Sequence, residues 1–376
     1  MSTKTILNVP LLDLQAQYEP IKDLIIDKMI ATFDSKYFIN GPEVTKLEEK
    51  ISAYCGTKHA VGVSSGSDAL IAAMMALDIG PGDEVITTPF SFFATAGSIA
   101  RVGATPVFCD IDSATFNIDP AQIESKITGK TKAIMPVHLF GQCADMDSIL
   151  GIASKYNLYI IEDAAQGIGA TYKTATGDIK KAGNLGTVGC FSFFPSKNLG
   201  ACGDAGIMTT NDTDLYEKLK SIRMHGETQR YHHKYIGGNF RIDALQAGIL
   251  SIKLDYLDGQ HQGRQANAQF YNENLIDSIK KPVIDDRCTS IYNQYTLTVE
   301  NRDELKQYLT DNTIGNNIYY PIPLHLQECF GYLNHKVGDF PNAEAAAQTV
   351  ISIPIFSELT VEQKTYIVDK LNHFFQ

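Results

Sequence analysis

Between residues 60 and 210, seven short apolar runs alternate with stretches of helical character, and no other feature restricts the fold as much. The runs cover 60–63, 84–87, 105–109, 133–137, 158–161, 189–194 and 206–210, with 68–77 and 146–156 the clearest helical segments between them. Run 158–161, Leu-Tyr-Ile-Ile, is apolar throughout and bounded by polar sequence, the form of a strand buried in a parallel sheet. The alternation predicts an α/β fold: a mostly parallel seven-stranded sheet between two helix layers. Further on, 215–224 and 243–256 read as helices. After about residue 260 come a long helix, strands near 292–299 and 317–320, and a last helix over 361–375. This divides the chain into a large domain, 1–255, and a smaller α+β domain, 256–376.

The bulk properties exclude several classes. At 376 residues the chain holds enough for a large core, and 44% hydrophobic with 20% charged residues is ordinary for a globular enzyme. A net charge of −11, with no dense basic run, argues against nucleic-acid binding. Seven scattered cysteines form no CxxC pair, so neither a disulfide framework nor a structural zinc site is expected; Cys55 and His59, at i and i+4, are the one candidate metal pair. The first ten residues lack a signal-peptide core, and no apolar run approaches membrane length. The expected compartment is reducing cytosol.

The chemistry concentrates at two strand ends. In Cys190-Phe-Ser-Phe-Phe-Pro-Ser-Lys-Asn-Leu-Gly200, the chain turns after Pro195 and presents Lys197 at the mouth of a strand. Desolvation there eases loss of the lysine proton, and a neutral amine is the nucleophile that condenses with carbonyl groups. A solvated surface lysine would read the same way in isolation. Run 158–161 ends in Glu162-Asp163-Ala-Ala-Gln166, and ligands of open α/β sheets bind beyond such strand ends. An aspartate there keeps a pyridine nitrogen protonated, and together with a carbonyl-binding lysine it makes the protein's contribution to pyridoxal phosphate chemistry. Taken alone, Asp163 could equally be a helix cap. Ser64-Ser-Gly-Ser67 follows a strand and opens a helix, a place where free amides bind phosphate. Gly167-Ile-Gly begins like a dinucleotide fingerprint but lacks its third glycine.

These motifs, with Gly238-Asn239-Phe-Arg-Ile-Asp243, Gly41-Pro-Glu-Val44 and Tyr320-Pro-Ile-Pro-Leu-His325, make the chain resemble the DegT/StrS nucleotide-sugar aminotransferases, fold-type I pyridoxal phosphate enzymes. The resemblance runs nearly end to end. It implies that Lys197 carries pyridoxal 5'-phosphate and Asp163 meets the ring nitrogen, with Gln166 beside the phenolic oxygen. Gly66, Ser67 and Ser192 would hold the phosphate, and Phe92 would cover the ring, with Phe93 the alternative. Asn239 would reach the partner subunit's cofactor phosphate, making a homodimer with shared sites. Gly41, His138, Arg241, Tyr320 and His325 would lie near the sugar; Tyr319 stands where the family often has histidine.

A retained lysine implies transamination, L-glutamate being the usual donor, rather than the dehydration of relatives with histidine there. Relatives aminating C4 tend to read Asn-x-Arg-Met-Thr at the interface motif, whereas this chain reads Asn239-Phe-Arg-Ile-Asp243. With Gly141-Gln-Cys-Ala-Asp145 and Arg230-Tyr-His-His233, it looks closest to enzymes acting on UDP-linked 3-keto N-acetylhexosamines, and a dTDP-3-keto-6-deoxyhexose is the rival. The product would be a 3-amino sugar for surface polysaccharide or lipopolysaccharide. A non-catalytic regulator on the same fold should have lost Asp163, Gln166 or Lys197.

Overall fold

The computed structural model describes residues 7–376, so the reading of residues 1–6 as free of a signal core lies outside the described residues. All seven apolar runs become strands of one sheet: His59–Val63, Glu84–Thr87, Thr105–Phe108, Thr131–Ile134, Tyr159–Asp163, Val188–Ser192 and Gly206–Thr210. Across the sheet, named by first residue, their order is 59, 206, 188, 159, 131, 84, 105. Neighbours from 188 to 105 are parallel. Only the Gly206–Thr210 strand runs against both of its neighbours. The other six therefore share one direction, and their carboxyl ends open onto one crevice.

Alternation along each strand divides the core into two faces. Ile160 packs with Leu47, Ile51, Ile149 and Leu250 on one face. Its neighbour Ile161 packs with Leu70, Met74, Ile99 and Leu219 on the other. Helices Pro42–Cys55, Met146–Tyr156 and Ala244–Leu254 thus cover one side, and Gly66–Ala76, Ala94–Arg101 and Thr213–Arg223 the other. The C-terminal part has its own core around Tyr271, Leu297, Ile351 and Leu371, which Val9 from the N-terminal segment joins. Helix Ala244–Leu254 ends and helix Leu257–Asn274 begins on either side of the division expected at 255/256. A further cluster joins Phe90, Val137 and Phe140 from the sheet's crevice to Leu324, Phe330 and Phe340, fixing the 319–325 segment over that crevice.

Two local expectations need correction. Residues 317–320 form no strand; only Asn317 bridges to Ser352, because Pro321 and Pro323 carry no amide donors with which to extend a ladder. Strand Tyr295–Thr298 pairs with Val350–Ile353. Cys55 and His59 share no helix face, since the helix ends at Cys55 with Gly56 at φ 74° and His59 opens a strand. Among the described residues no helix is long and apolar enough to cross a membrane.

The strand Tyr159–Asp163 ends in two carboxylates, and the first is structural. Glu162 is fully buried, its Oε1 accepting from the amides of Leu185 at 2.8 Å and Gly186 at 2.6 Å. Its Oε2 accepts from the Gly183 amide at 2.7 Å and meets His138 Nε2 at 2.9 Å. Removing this carboxylate strands three buried donors and a buried imidazole. Glu162→Ala should therefore lower unfolding free energy by about 3–5 kcal/mol, because several donors are left without a partner at once. A denaturant titration giving less than about 1 kcal/mol would contradict this account.

Candidate active site

The crevice holds a cavity of about 640 Å³, lined among others by Ser65, Gly66, Ser67, Asp163, Gln166, Ser192, Lys197 and Tyr320. Helix Gly66–Ala76 points its first turn at this space. Ser65 caps the helix by accepting from the Asp68 amide at 3.0 Å, leaving the first amides beyond the cap free for a ligand. A Cβ on residue 66 would lie 2.6 Å from Ser192 Cβ, so glycine is required for the helix start and the Val188–Ser192 strand end to meet. The result is a cradle of amides and a hydroxyl sized for a phosphate.

Asp163 lies at the cavity wall, 4% exposed. Its Oδ2 accepts from Thr95 Oγ1 at 2.7 Å, and its Oδ1 from the Ala165 amide at 3.3 Å. Burial pushes its carboxyl above the usual range, against the opposing pull of these donors and of the nearby Lys197 charge. Lys197 moves the other way: burial lowers its amine to about 8, with Asp163 holding it from falling further. Sequence patterns gave no sign of Thr95, which lies three residues past Phe92 in the first turn of helix Ala94–Arg101.

Gln166 is oriented from both ends. Its Oε1 accepts from the Phe140 amide at 2.6 Å, and its Nε2 donates to the Tyr320 hydroxyl at 3.0 Å. Burial and the nearby Asp163 raise the Tyr320 phenol above its ordinary value, so it stays protonated at neutral pH. Of the two aromatic alternatives, Phe92 lines the cavity and sits 6.2 Å from the Tyr320 ring. Phe93 turns away toward Phe330, at 5.7 Å.

Five other expected residues are not at the cavity wall of their own chain. His138 has no exposed surface; Glu162 engages its Nε2, and its Nδ1 accepts from the Ala144 amide at 3.2 Å. His325 is likewise buried, 3.1 Å from Glu344 Oε1. His138 holds backbone in place, His325 holds the Glu344 side chain, and neither lines the cavity. Gly41 begins helix Pro42–Cys55, and a Cβ there would strike Tyr37 Cβ at 2.7 Å. Asn239 is exposed and bridges to Met224, and Arg241 bridges to Val63. The Ala244 amide donates to Phe38 at 2.9 Å and Ile39 bridges Asp243, which joins the Gly41 and Arg241 loops outside the cavity.

The residues present fit pyridoxal phosphate: a phosphate cradle, an acid for the ring nitrogen and an amine with a lowered proton affinity line one cavity. Residues 20–372 match the DegT/DnrJ/EryC1/StrS aminotransferase family. The chain belongs to that family. It is 48% identical to a "pleiotropic regulatory protein" of Geobacillus stearothermophilus, the match covering 98% of this chain and 99% of the relative. It is 42% identical to the UDP-N-acetyl-3-dehydro-alpha-D-glucosamine 3-aminotransferase of Acidithiobacillus ferrooxidans, over 94% and 95% of the two chains. The solved structure of S. venezuelae DesV in complex with a ketimine intermediate superposes with a TM-score of 0.94 at 38% identity, covering 98% of each chain. This family member is a pyridoxal phosphate aminotransferase.

The lowered Lys197 value gives a direct pH prediction. In cofactor-free protein, the labelling rate of Lys197 by an amine-reactive reagent should rise with pH, because only the neutral amine reacts. It should reach half of its plateau near pH 8, where half of the amine is neutral. A midpoint at the ordinary lysine value, found by peptide mapping, would show that the amine is not desolvated.

Proposed function

We propose that this chain moves an amino group from L-glutamate to the C3 keto group of a nucleotide-linked sugar, a UDP-linked 3-keto N-acetylhexosamine being the favoured acceptor. One observation carries the reading: a lysine that gives up its proton readily and a buried carboxylate at a strand end line the same cavity. Pyridoxal phosphate, when bound, supplies an electron sink for the charge left on proton removal. Lys197 bonds the cofactor between turnovers; once the donor amine displaces it, the freed amine takes the proton and returns it one position along. Asp163, in its water-poor position, holds the proton on the ring nitrogen. The helix start at Gly66 and Ser67, with Ser192, takes the phosphate.

The C3 position rests on Asn239-Phe-Arg-Ile-Asp243 and on the 42% identical relative, whose printed name is a 3-aminotransferase of a UDP-linked sugar. The product is a 3-amino sugar for surface polysaccharide or lipopolysaccharide, made in the cytoplasm. A dTDP-3-keto-6-deoxyhexose remains the alternative acceptor. The 48% identical relative carries a regulator's name, which favours a second reading as a cofactor-binding regulator. Lys197, Asp163 and Gln166 are all kept, which supports catalysis. Adding L-glutamate to the yellow protein should bleach its absorbance, and a UDP-linked 3-keto sugar should restore it; no response to glutamate would favour the regulator.

The active unit is a homodimer in which Gly41, Asn239 and Arg241 serve the partner's cavity. Their loops lie together beside exposed Tyr37, Phe38 and Ile39, which are 62%, 41% and 44% accessible.

Asp163→Asn should slow the glutamate half-reaction on the order of 10²-fold or more, because a neutral amide cannot hold the ring proton. A rate within about twofold of the parent would remove Asp163 from the ring nitrogen. Mixing inactive Lys197→Ala and Arg241→Ala chains should restore part of the activity, since a mixed dimer then has one unaltered site. No recovery despite proven subunit exchange would mean that each site is built by one chain.

A further inference from the structure

The turn that carries Lys197 is braced from the C-terminal part of the chain by a buried pair of amides. Asn198, which follows Lys197, is 2% exposed, and Asn293 is 9% exposed. Asn198 Nδ2 donates to the Ile291 carbonyl at 3.1 Å. That bond fixes which end of the Asn198 amide faces Asn293, and Asn198 Oδ1 accepts from Asn293 Nδ2 at 2.7 Å. Asn293 is held in turn by its main chain: its amide donates to the Phe140 carbonyl at 2.9 Å, while the Ile291 amide donates to Gly141 at 3.0 Å. Phe140 is the residue whose amide orients Gln166, and Gln166 reaches Tyr320. A continuous path therefore runs from the neighbour of Lys197 to two further cavity residues.

The junction is built for close approach. Phe140 takes φ 57°, a conformation costly for a residue with a Cβ. Gly141 takes φ 95°, and a Cβ there would lie 2.8 Å from the Asn293 nitrogen. Asn293 Oδ1 is buried with no partner among the described residues. An apolar pair would fill this space without desolvating two amides. What the amides add is direction: each fixes the orientation of the other, and packing alone would not.

Resting on the reading that Lys197 bonds the cofactor and moves the proton, we infer that Asn293, acting through Asn198, is a positioning residue that holds the Lys197 turn in register with Gln166 and Tyr320. Such register matters because a misplacement of about 1 Å in a reacting group can cost roughly 10²-fold in rate.

The test uses the full-length protein with Asn293→Ala, Asn198→Ala and both together. Borohydride trapping of the parent holoenzyme comes first. Reduction onto a lysine other than Lys197 overturns the reading beneath this inference, and the inference with it. With Lys197 trapped, each single variant should slow the glutamate half-reaction by about tenfold to 10²-fold, leaving KM for the sugar nucleotide within about threefold. In cofactor-free protein, the labelling midpoint of Lys197 should rise from about 8 as water reaches the loosened turn. The double variant should be no slower than the worse single one, since both delete the same bond. Unchanged rate and midpoint, or effects that simply add, would overturn the inference. Should Asn293→Ala fail to fold, Asn198→Ala removes the bond from the other side and is read by the same criteria.

Discussion

Two consecutive carboxylates at the end of one buried strand set the terms for everything around them. The pleat sends Glu162 and Asp163 to opposite faces of the sheet, so neighbours in sequence enter different surroundings. Glu162 meets three amides and an imidazole, and its negative charge is spent on holding the 183–186 turn and His138 in place. Asp163 meets only Thr95 and one amide, and keeps its remaining charge for the cavity. The anchored residue makes the other one usable: a strand end fixed from below cannot swing when a cation binds above it.

The same dry surroundings act in opposite directions on the two reactive groups. Burial raises the Asp163 carboxyl and lowers the Lys197 amine, and each opposes the other's shift by its own charge. A water-filled crevice would leave the amine almost wholly protonated at neutral pH, whereas burial raises the neutral, nucleophilic fraction. Arranged charges in such a site need no reorganisation when the reaction moves a proton. The shared core of Phe90, Val137, Leu324 and Phe340 maintains this dryness by pinning the 319–325 segment over the strand ends. His325 belongs to that pinning: it sits 4.7 Å from the Phe340 ring and bonds Glu344.

The sheet was legible in the sequence because strands covered on both faces must be apolar almost continuously, and seven such runs became seven strands. Residues 317–320 misled because Ile318 and Tyr319 have strand-like side chains, whereas the two prolines that follow decide the backbone. Lys197, Asp163, Gln166 and the Gly66 turn stood out because each lies near a strand end or helix start, where chain order already implies position, while Ser192 came from the family resemblance. His138 and Asn293 could not be read that way. His138 also follows a strand, yet a carboxylate 24 residues away turns its ring from the crevice. Asn293 reaches Asn198 across 95 residues, and no local pattern announces a contact that only the closed fold creates.

The residues that stay outside the cavity carry a physical argument of their own. Helix Lys22–Ser35 leaves Ile30 and Phe33 more than half exposed, and the loop after it does the same with Tyr37. Grouped apolar surface of this kind is what the proposed homodimer would cover. The Asn239–Arg241 loop is joined to that surface through Asp243 and Ala244, and Arg241 Nε is buried there with no partner among the described residues. A guanidinium fork suits phosphate oxygens. If a second copy covers the apolar patch, the loop is carried with it toward a cavity that contains amides and hydroxyls but, besides Lys197, no other cation among its described lining. The substrate proposed for this cavity has a diphosphate, so the cation it requires would come from the neighbouring chain, and dimerisation would complete the site's charge as well as bury its apolar rim.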